Sequence, residues 1–244
     1  MATRRTPAPP TDAAATPVTD MNTELFYEDF AKTFPFWDAL DTAQQEAICR
    51  TSYAVTFLKG ANVHSGEECT GVILVKSGCL RVYMLSEDGK DLTLYRLFKG
   101  DVCVLSASCA LTTITFDVHV DAEEPCDCVI ISGCAFSALC EKVPEVKVYA
   151  LEATVARFSE VMWVMEQILF MSFDRRLAIF LLDESAKMGS DAIRLTHEQI
   201  ARYMGSAREV VSRMLKYFSA EGIVENTRGG IKILDKKRLR ELAF

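Results

Sequence analysis

The spacing of apolar residues changes once along this 244-residue chain, and that change dictates what it can fold into. From about Thr51 to Ser132 apolar residues recur with period two, in short runs broken by turn signals. That is the pattern of strands whose alternate side chains face a core. Gly71-Val72-Ile73-Leu74-Val75 reads as a buried strand, Lys76-Ser77-Gly78 as a turn, and Cys79 to Leu85 as an alternating strand. Ser86-Glu87-Asp88-Gly89-Lys90 carries the Asp-Gly hairpin signal, Leu92 to Leu97 returns, and Phe98-Lys99-Gly100-Asp101 turns again. Many short strands with Gly-containing turns predict a β-barrel or sandwich. From Pro144 the period becomes helical: Leu151, Val155, Phe158, Met162, Met165 and Leu169 are spaced 4, 3, 4, 3, 4.

Such a spacing makes a heptad seam, which pairs two helices side by side. The alternative is a stripe packed on the chain's own barrel. A helix of about 27 residues spans roughly 40 Å at 1.5 Å per residue, longer than a barrel face needs, and this favours a dimer. A further helix is expected from Phe173 or Asp174 to Met188, stopped by Gly189. Asn22 to Arg50 reads as short helices. Residues 1–22, rich in Ala, Thr and Pro, read as a disordered tail.

Charge is divided along the same lines. The whole chain carries −7, but Met171 to Phe244 holds 14 Lys+Arg against 10 Asp+Glu, a net +4, which leaves −11 on residues 1–170. A polyanion is attracted to the C-terminal part and repelled by the rest. The longest charge-free stretch, Val102 to Phe116, is shorter than a membrane span. No signal-peptide pattern precedes it, so a cytoplasmic protein without membrane association is expected. Nine cysteines in such a chain are expected to be small buried hydrophobes rather than a disulfide framework.

The most informative segment is Leu195 to Phe218. Thr196 and Gln199 form a Thr-x-x-Gln capping box that starts a short helix, with Ile200, Ala201 and Met204 as its apolar face. Gly205 suits a sharp reversal that needs positive φ. Ser206 and Glu209 read as a second capping box, and Val210, Val211, Met214, Leu215 and Phe218 as the buried side of a second helix. Two short helices about a tight Gly turn predict a helix-turn-helix. Its second helix would present Arg208, Glu209, Ser212 and Arg213 to base edges. Arg can bond guanine bidentately and Glu can accept from the cytosine amino group. Thr196 and Ser206, at the two helix starts, join this DNA-contacting set. Ile223 to Leu234 reads as a hairpin wing, with Arg228 and Lys232 placed for phosphate.

This order of parts resembles the CRP/FNR superfamily of transcription regulators over residues 23 to 244. Its most specific stretch is Leu195 to Gly222, with Arg208-Glu209-x-x-Ser212-Arg213. The segment Gly71 to Asp101 is similar to the family's cyclic-nucleotide-binding-type domain. The resemblance implies an α+β fold: an N-terminal jelly-roll β-barrel sensor at 23–140, a dimerisation helix at 141–170 and a winged helix-turn-helix at 171–244. It implies a homodimer that binds inverted repeats with TGA-containing half-sites and contacts RNA polymerase. Glu209 and Arg213 would read the half-site, with Arg208 on an outer guanine.

The effector is less legible. Nucleotide-sensing relatives hold the cyclic phosphate with an Arg after a Gly-Glu turn; here there is Gly100-Asp101, and no Arg between Arg96 and Arg157. A buried phosphate without a cation is poorly compensated, which argues against cyclic AMP. The run Gly100 to Cys109 holds Asp101, Cys103, Ser106, Ser108 and Cys109 as pocket candidates. These suit a small neutral ligand or a thiol sensor; the plainer reading is a short helix filling the barrel mouth. No Cys precedes Cys49, so the N-terminal cluster-ligand run of oxygen-sensing relatives is missing. Cys126, Cys128, Cys134 and Cys140 leave an iron–sulfur cluster open, and His64 and His119 leave haem open. A scaffold barrel on a constitutive DNA binder is an alternative. A cupin-type metal enzyme would need more clustered ligands than three histidines provide, and no catalytic residue is assigned.

Overall fold

The computed structural model describes residues 23–66, 69–107 and 117–244. The expected tail at 1–22 and the pocket candidates Ser108 and Cys109 lie outside these residues. The chain divides into two compact units: one from residues up to Leu85 with Leu94–Glu160, the other from Ser86–Thr93 with Val161–Phe244.

In the first unit α1 (Thr23–Thr33) and α2 (Thr42–Arg50) precede eight strands. The strands are β1 (Ser52–Phe57), β2 (Asn62–His64), β3 (Val72–Val75), β4 (Leu80–Leu85), β5 (Asp91–Leu97), β6 (Val102–Cys103), β7 (His119–Ala122) and β8 (Cys126–Ile131). They form two four-stranded sheets, ordered β1-β8-β3-β6 and β2-β7-β4-β5. That is the strand order of a jelly roll, in which two Greek keys leave only short edges. The predicted strands and turns are present, but β4 does not alternate: Leu80, Arg81 and Val82 are all buried. Arg81 lies there as a cation 4.0 Å from the Tyr83 ring centroid, an arrangement that offsets part of the desolvation of its charge. Every residue of β3 is buried as well. Apolar content therefore reports burial here better than period does.

Two helices follow the jelly roll, α3 (Gly133–Lys142) and α4 (Pro144–Phe170). Helix α3 straddles the boundary expected at residue 140. Phe30, Phe34, Phe36, Trp37, Phe136 and Tyr149 form an aromatic cluster that ties α1 and the 3₁₀ turn at Trp37–Ala39 to α3 and α4. Helix α2 starts at an Asp41–Gln44 capping box.

The second unit is α5 (Phe173–Met188), β9 (Ala192–Ile193), α6 (His197–Tyr203), α7 (Arg208–Ala220), β10 (Val224–Thr227), β11 (Gly230–Ile233) and α8 (Lys236–Ala243), together with the C-terminal part of α4. Gly189 caps α5 in the left-handed region, as its position predicted. Leu177, Leu181, Ile193, Ile200, Val211, Leu215, Phe218, Ile231 and Leu239 share one apolar core. Polar ties close its rim. Lys236 pairs with Asp191, which also accepts from Ser185 Oγ at 3.1 Å; the two donors hold the Asp191 carboxyl below the usual carboxylate range. Among the described residues no helix is long and apolar enough to cross a membrane.

Candidate functional site

Helices α6 and α7 meet about Gly205, whose φ of +57° is the left-handed value expected of it. The capping box at Thr196 is formed in both directions: Thr196 Oγ1 accepts from the Gln199 amide, and Gln199 Oε1 accepts from the Thr196 amide at 2.9 Å. Ile200, Ala201 and Met204 are buried beneath α6.

The second capping box is not formed. The residue that caps α7 is Ala207, with no side-chain cap bond, and Ser206 instead donates its amide to the Ala201 carbonyl at 2.9 Å. Ser206 sits one residue too early, still closing the preceding helix. Ala207, the residue at the cap, therefore offers the amides at the start of α7 no side-chain acceptor. The buried side of α7 is narrower than expected: Val211, Leu215 and Phe218 are fully buried, while Val210 and Met214 are half-buried.

Arg208, Glu209 and Arg213 are exposed on the first two turns of α7. Glu209 and Arg213 could have paired across one turn, yet among the described residues neither forms an ion pair. Ser212 is turned differently. It is half-buried, and its Oγ lies 2.9 Å from His197 Nδ1, which pins the start of α6 to α7. In the wing, β10 and β11 pair antiparallel from Val224↔Ile233 to Thr227↔Gly230, with Arg228 and Gly229 at the turn. Arg228 and Lys232 are exposed. Strand β9 extends the wing sheet through Ile193↔Ile231. Arg238 anchors the far end of α7, donating to the Glu221 carbonyl at 2.8 Å and pairing with the Glu221 carboxylate at 2.7 Å.

The described pocket candidates, Asp101, Cys103 and Ser106, lie in the jelly roll. Cys103 ends β6, and residues 104–107 make a turn closed by Ala107 N donating to the Val104 carbonyl at 3.0 Å. Ser106 is buried and donates to the Gly71 carbonyl at 2.7 Å. Asp101 accepts from the Phe98 amide at 2.8 Å, closing the expected turn, and also lies 3.7 Å from the Arg157 guanidinium.

Sequence reasoning missed Arg157. It projects from α4, lies 4.9 Å from the Tyr95 ring centroid and holds Glu160 with contacts of 2.8 and 3.0 Å. Tyr95 is buried, and its phenol pKa is raised, first by burial and then by Cys103. The available signal was an arginine next to the apolar seam of a helix that was expected only to dimerise. Cys126 and Cys128 are buried in β8, Cys134 is exposed and Cys140 half-buried on α3. Among the described residues no group of three or more His, Cys, Asp or Glu is placed to hold a metal ion.

Comparison with known proteins matches both units. A Crp-like helix-turn-helix domain model matches residues 175–242, and a cyclic nucleotide-binding domain model matches residues 57–143. A crystal structure from Eubacterium rectale, described as a transcriptional regulator of the crp/fnr family, is 45% identical, covers 87% of this chain and 99% of its own, and superposes with a TM-score of 0.82. The transcriptional regulator flp of Lacticaseibacillus casei is 24% identical over 213 residues, 86% of this chain and 96% of that one. The cAMP-activated global transcriptional regulator CRP of Pasteurella multocida is 24% identical over 173 residues, 68% of this chain and 82% of that one.

Proposed function

Since this chain belongs to the CRP/FNR family of DNA-binding transcription regulators, we propose that it acts as a cytoplasmic homodimer reading an inverted repeat with TGA-containing half-sites. Residues 171–244 contact DNA, 141–170 dimerise and 23–140 sense a signal other than a cyclic nucleotide. Bound at a promoter, the dimer contacts RNA polymerase. No catalytic reaction is assigned to it.

The observation that carries the DNA reading is the exposed, unpaired trio Arg208, Glu209 and Arg213 on the first turns of α7. A charge with no ion-pair partner among the described residues gives up little on meeting a base edge. Ser212 contributes by fixing α7 through His197, and Thr196 by starting α6. Arg228 and Lys232 add phosphate contacts. Two copies would seat their recognition helices about one DNA turn, roughly 34 Å, apart.

The pocket reading rests on charge. Arg157, which lies beside Asp101 and Tyr95, already faces the carboxylates of Glu160 and Asp101. A cyclic phosphate would have to compete with both, so a neutral ligand or a thiol signal suits the site better. In a binding assay on a palindromic TGA site, Arg213→Ala should weaken specific affinity by about 1–3 kcal/mol and leave non-specific binding nearly unchanged. Equal specific affinity for wild type and variant would remove the assignment. Added cyclic AMP should change neither affinity nor thermal stability.

A further inference from the structure

Ser212 stands on the reading face of α7, three residues after Glu209 and one before Arg213, where the sequence expects a side chain aimed at a base edge. Its hydroxyl is already engaged. Ser212 Oγ lies 2.9 Å from His197 Nδ1, and among the described residues it makes no other hydrogen bond. A serine or threonine inside a helix can return its hydroxyl to the carbonyl four residues back. Ser159 does so on α4, donating to the Val155 carbonyl at 3.2 Å, and Thr154 donates to the Ala150 carbonyl at 2.7 Å. Ser212 does not. The acceptor that its proton meets inside the protein is the imidazole nitrogen, and this requires Nδ1 to be unprotonated. In a neutral ring the proton then sits on Nε2.

Nε2 is the open end of this pair. His197 is half-buried, and Nε2 has no partner among the described residues. It is not one of the side-chain atoms buried without a partner, so it reaches solvent. The ring belongs to the first residue of α6, and the bond to Ser212 holds it against the recognition helix. In a helix-turn-helix the first helix crosses the phosphate backbone while the second reads bases. A donor at the start of α6, held beside the reading face of α7, therefore meets a phosphate oxygen when α7 is seated in the groove.

We propose that His197 is a DNA-contacting residue that donates its Nε2–H to a backbone phosphate, and that Ser212 is a positioning residue acting through it. The Ser212 hydroxyl, spent inward, reads no base; it fixes the tautomer and the orientation of the ring. The donor is the imidazole itself, not the end of the helix. The proposal rests on the regulator reading above and adds to it a phosphate contact and a changed role for Ser212.

The full-length protein labelled with nitrogen-15, free of DNA at pH 8, tests the tautomer. Long-range proton–nitrogen spectra of its three histidines, assigned through bonds, should place the His197 proton on Nε2. In Ser212→Ala the two tautomers should mix, an effect that lost stability alone does not produce. Titration with DNA tests the contact. His197→Phe should weaken binding by about fivefold, the worth of one hydrogen bond, equally on the inverted repeat and on random duplex. Its salt slope should stay that of wild type, because a neutral donor releases no counterion. His197→Lys should restore affinity and steepen the slope by about one per subunit. Ser212→Ala should fall between wild type and His197→Phe and keep the base preference of wild type. A proton on Nδ1, which leaves the Ser212 hydroxyl free for a base, overturns the proposal. So does His197→Phe that binds like wild type, or that loses affinity on the inverted repeat alone. Failure of wild type and every variant to bind inverted-repeat DNA overturns the regulator reading instead, and the tautomer is still read without DNA.

Discussion

Individual side chains act here according to what already satisfies them. Arg208, Glu209 and Arg213 are exposed and form no ion pair among the described residues, whereas Ser212, four residues beyond Arg208 on the same helix, is held by His197. Arg228 sits at the wing turn, and the role proposed for it is a phosphate contact, which carries no sequence information. Arg228→Ala should therefore weaken binding equally on specific and random DNA and lower the salt slope by about one, measured by titration across ionic strengths. His64 shows the opposite situation. It is buried beside Thr70, with its Nδ1 2.8 Å from the Thr70 hydroxyl, and its pKa is lowered to about 4, first by burial, then by His119, against Asp117. Unfolded, a histidine titrates near 6.5. Between those values the unfolded chain binds a proton that the folded one refuses. Stability is thus full above about pH 6.5, falls by about 3 kcal/mol as pH drops toward 4, and levels off below. Urea melts at several pH values should show this slope in wild type and lose it in His64→Asn; an identical slope in both would show that other groups cause it.

At the scale of elements, helix ends settle the helix-turn-helix. Helix α6 has a complete capping box and α7 has none, because the reversal at Gly205 spends Ser206 on the preceding helix and leaves Ala207 at the cap. Ala207 has φ −79° and ψ 143°, the extended geometry that a capping side chain uses. Ala207→Ser should stabilise the protein by about 1 kcal/mol and Thr196→Ala should destabilise it by a similar amount, both read from denaturant midpoints. Gly230 matters for a different reason. Its φ is unremarkable, but a Cβ there would run into the Ile193 carbonyl, so only glycine lets β11 approach β9. The wing is held to its unit by that close approach.

For the whole molecule the open question is what covers α4. Only Val146 and Ala150 of this helix are buried, while Leu151, Val155, Phe158, Met162, Met165 and Leu169 are all exposed, Phe158 by 62%. A 27-residue helix with such a seam leaves apolar surface that water disfavours and a second copy would bury. Phe158→Glu should shift the protein from dimer to monomer in sedimentation and abolish high-affinity binding to the inverted repeat, while half-site affinity persists. A monomeric wild type would defeat the dimer reading. The charge division has its use at this scale too: an N-terminal part at −11 is repelled by DNA while the +4 part approaches it, which orients the encounter.

Rules acting over a few residues were readable in the chain itself. The heptad seam, the Gly189 stop, the Thr196 box, the Gly205 reversal and the exposed arginines of α7 all follow from neighbours one to four positions apart. The failures lie where a side chain's surroundings come from distant segments. Arg81 reads as the polar half of an alternating strand yet is buried against Tyr83. Arg157 reads as one charge on a dimer helix yet faces Asp101 and Tyr95, which stand more than fifty positions away in sequence. Local pattern fixes which way a residue points along its own element, and the fold decides what it meets there, because burial and charge pairing depend on whichever surface closes over it.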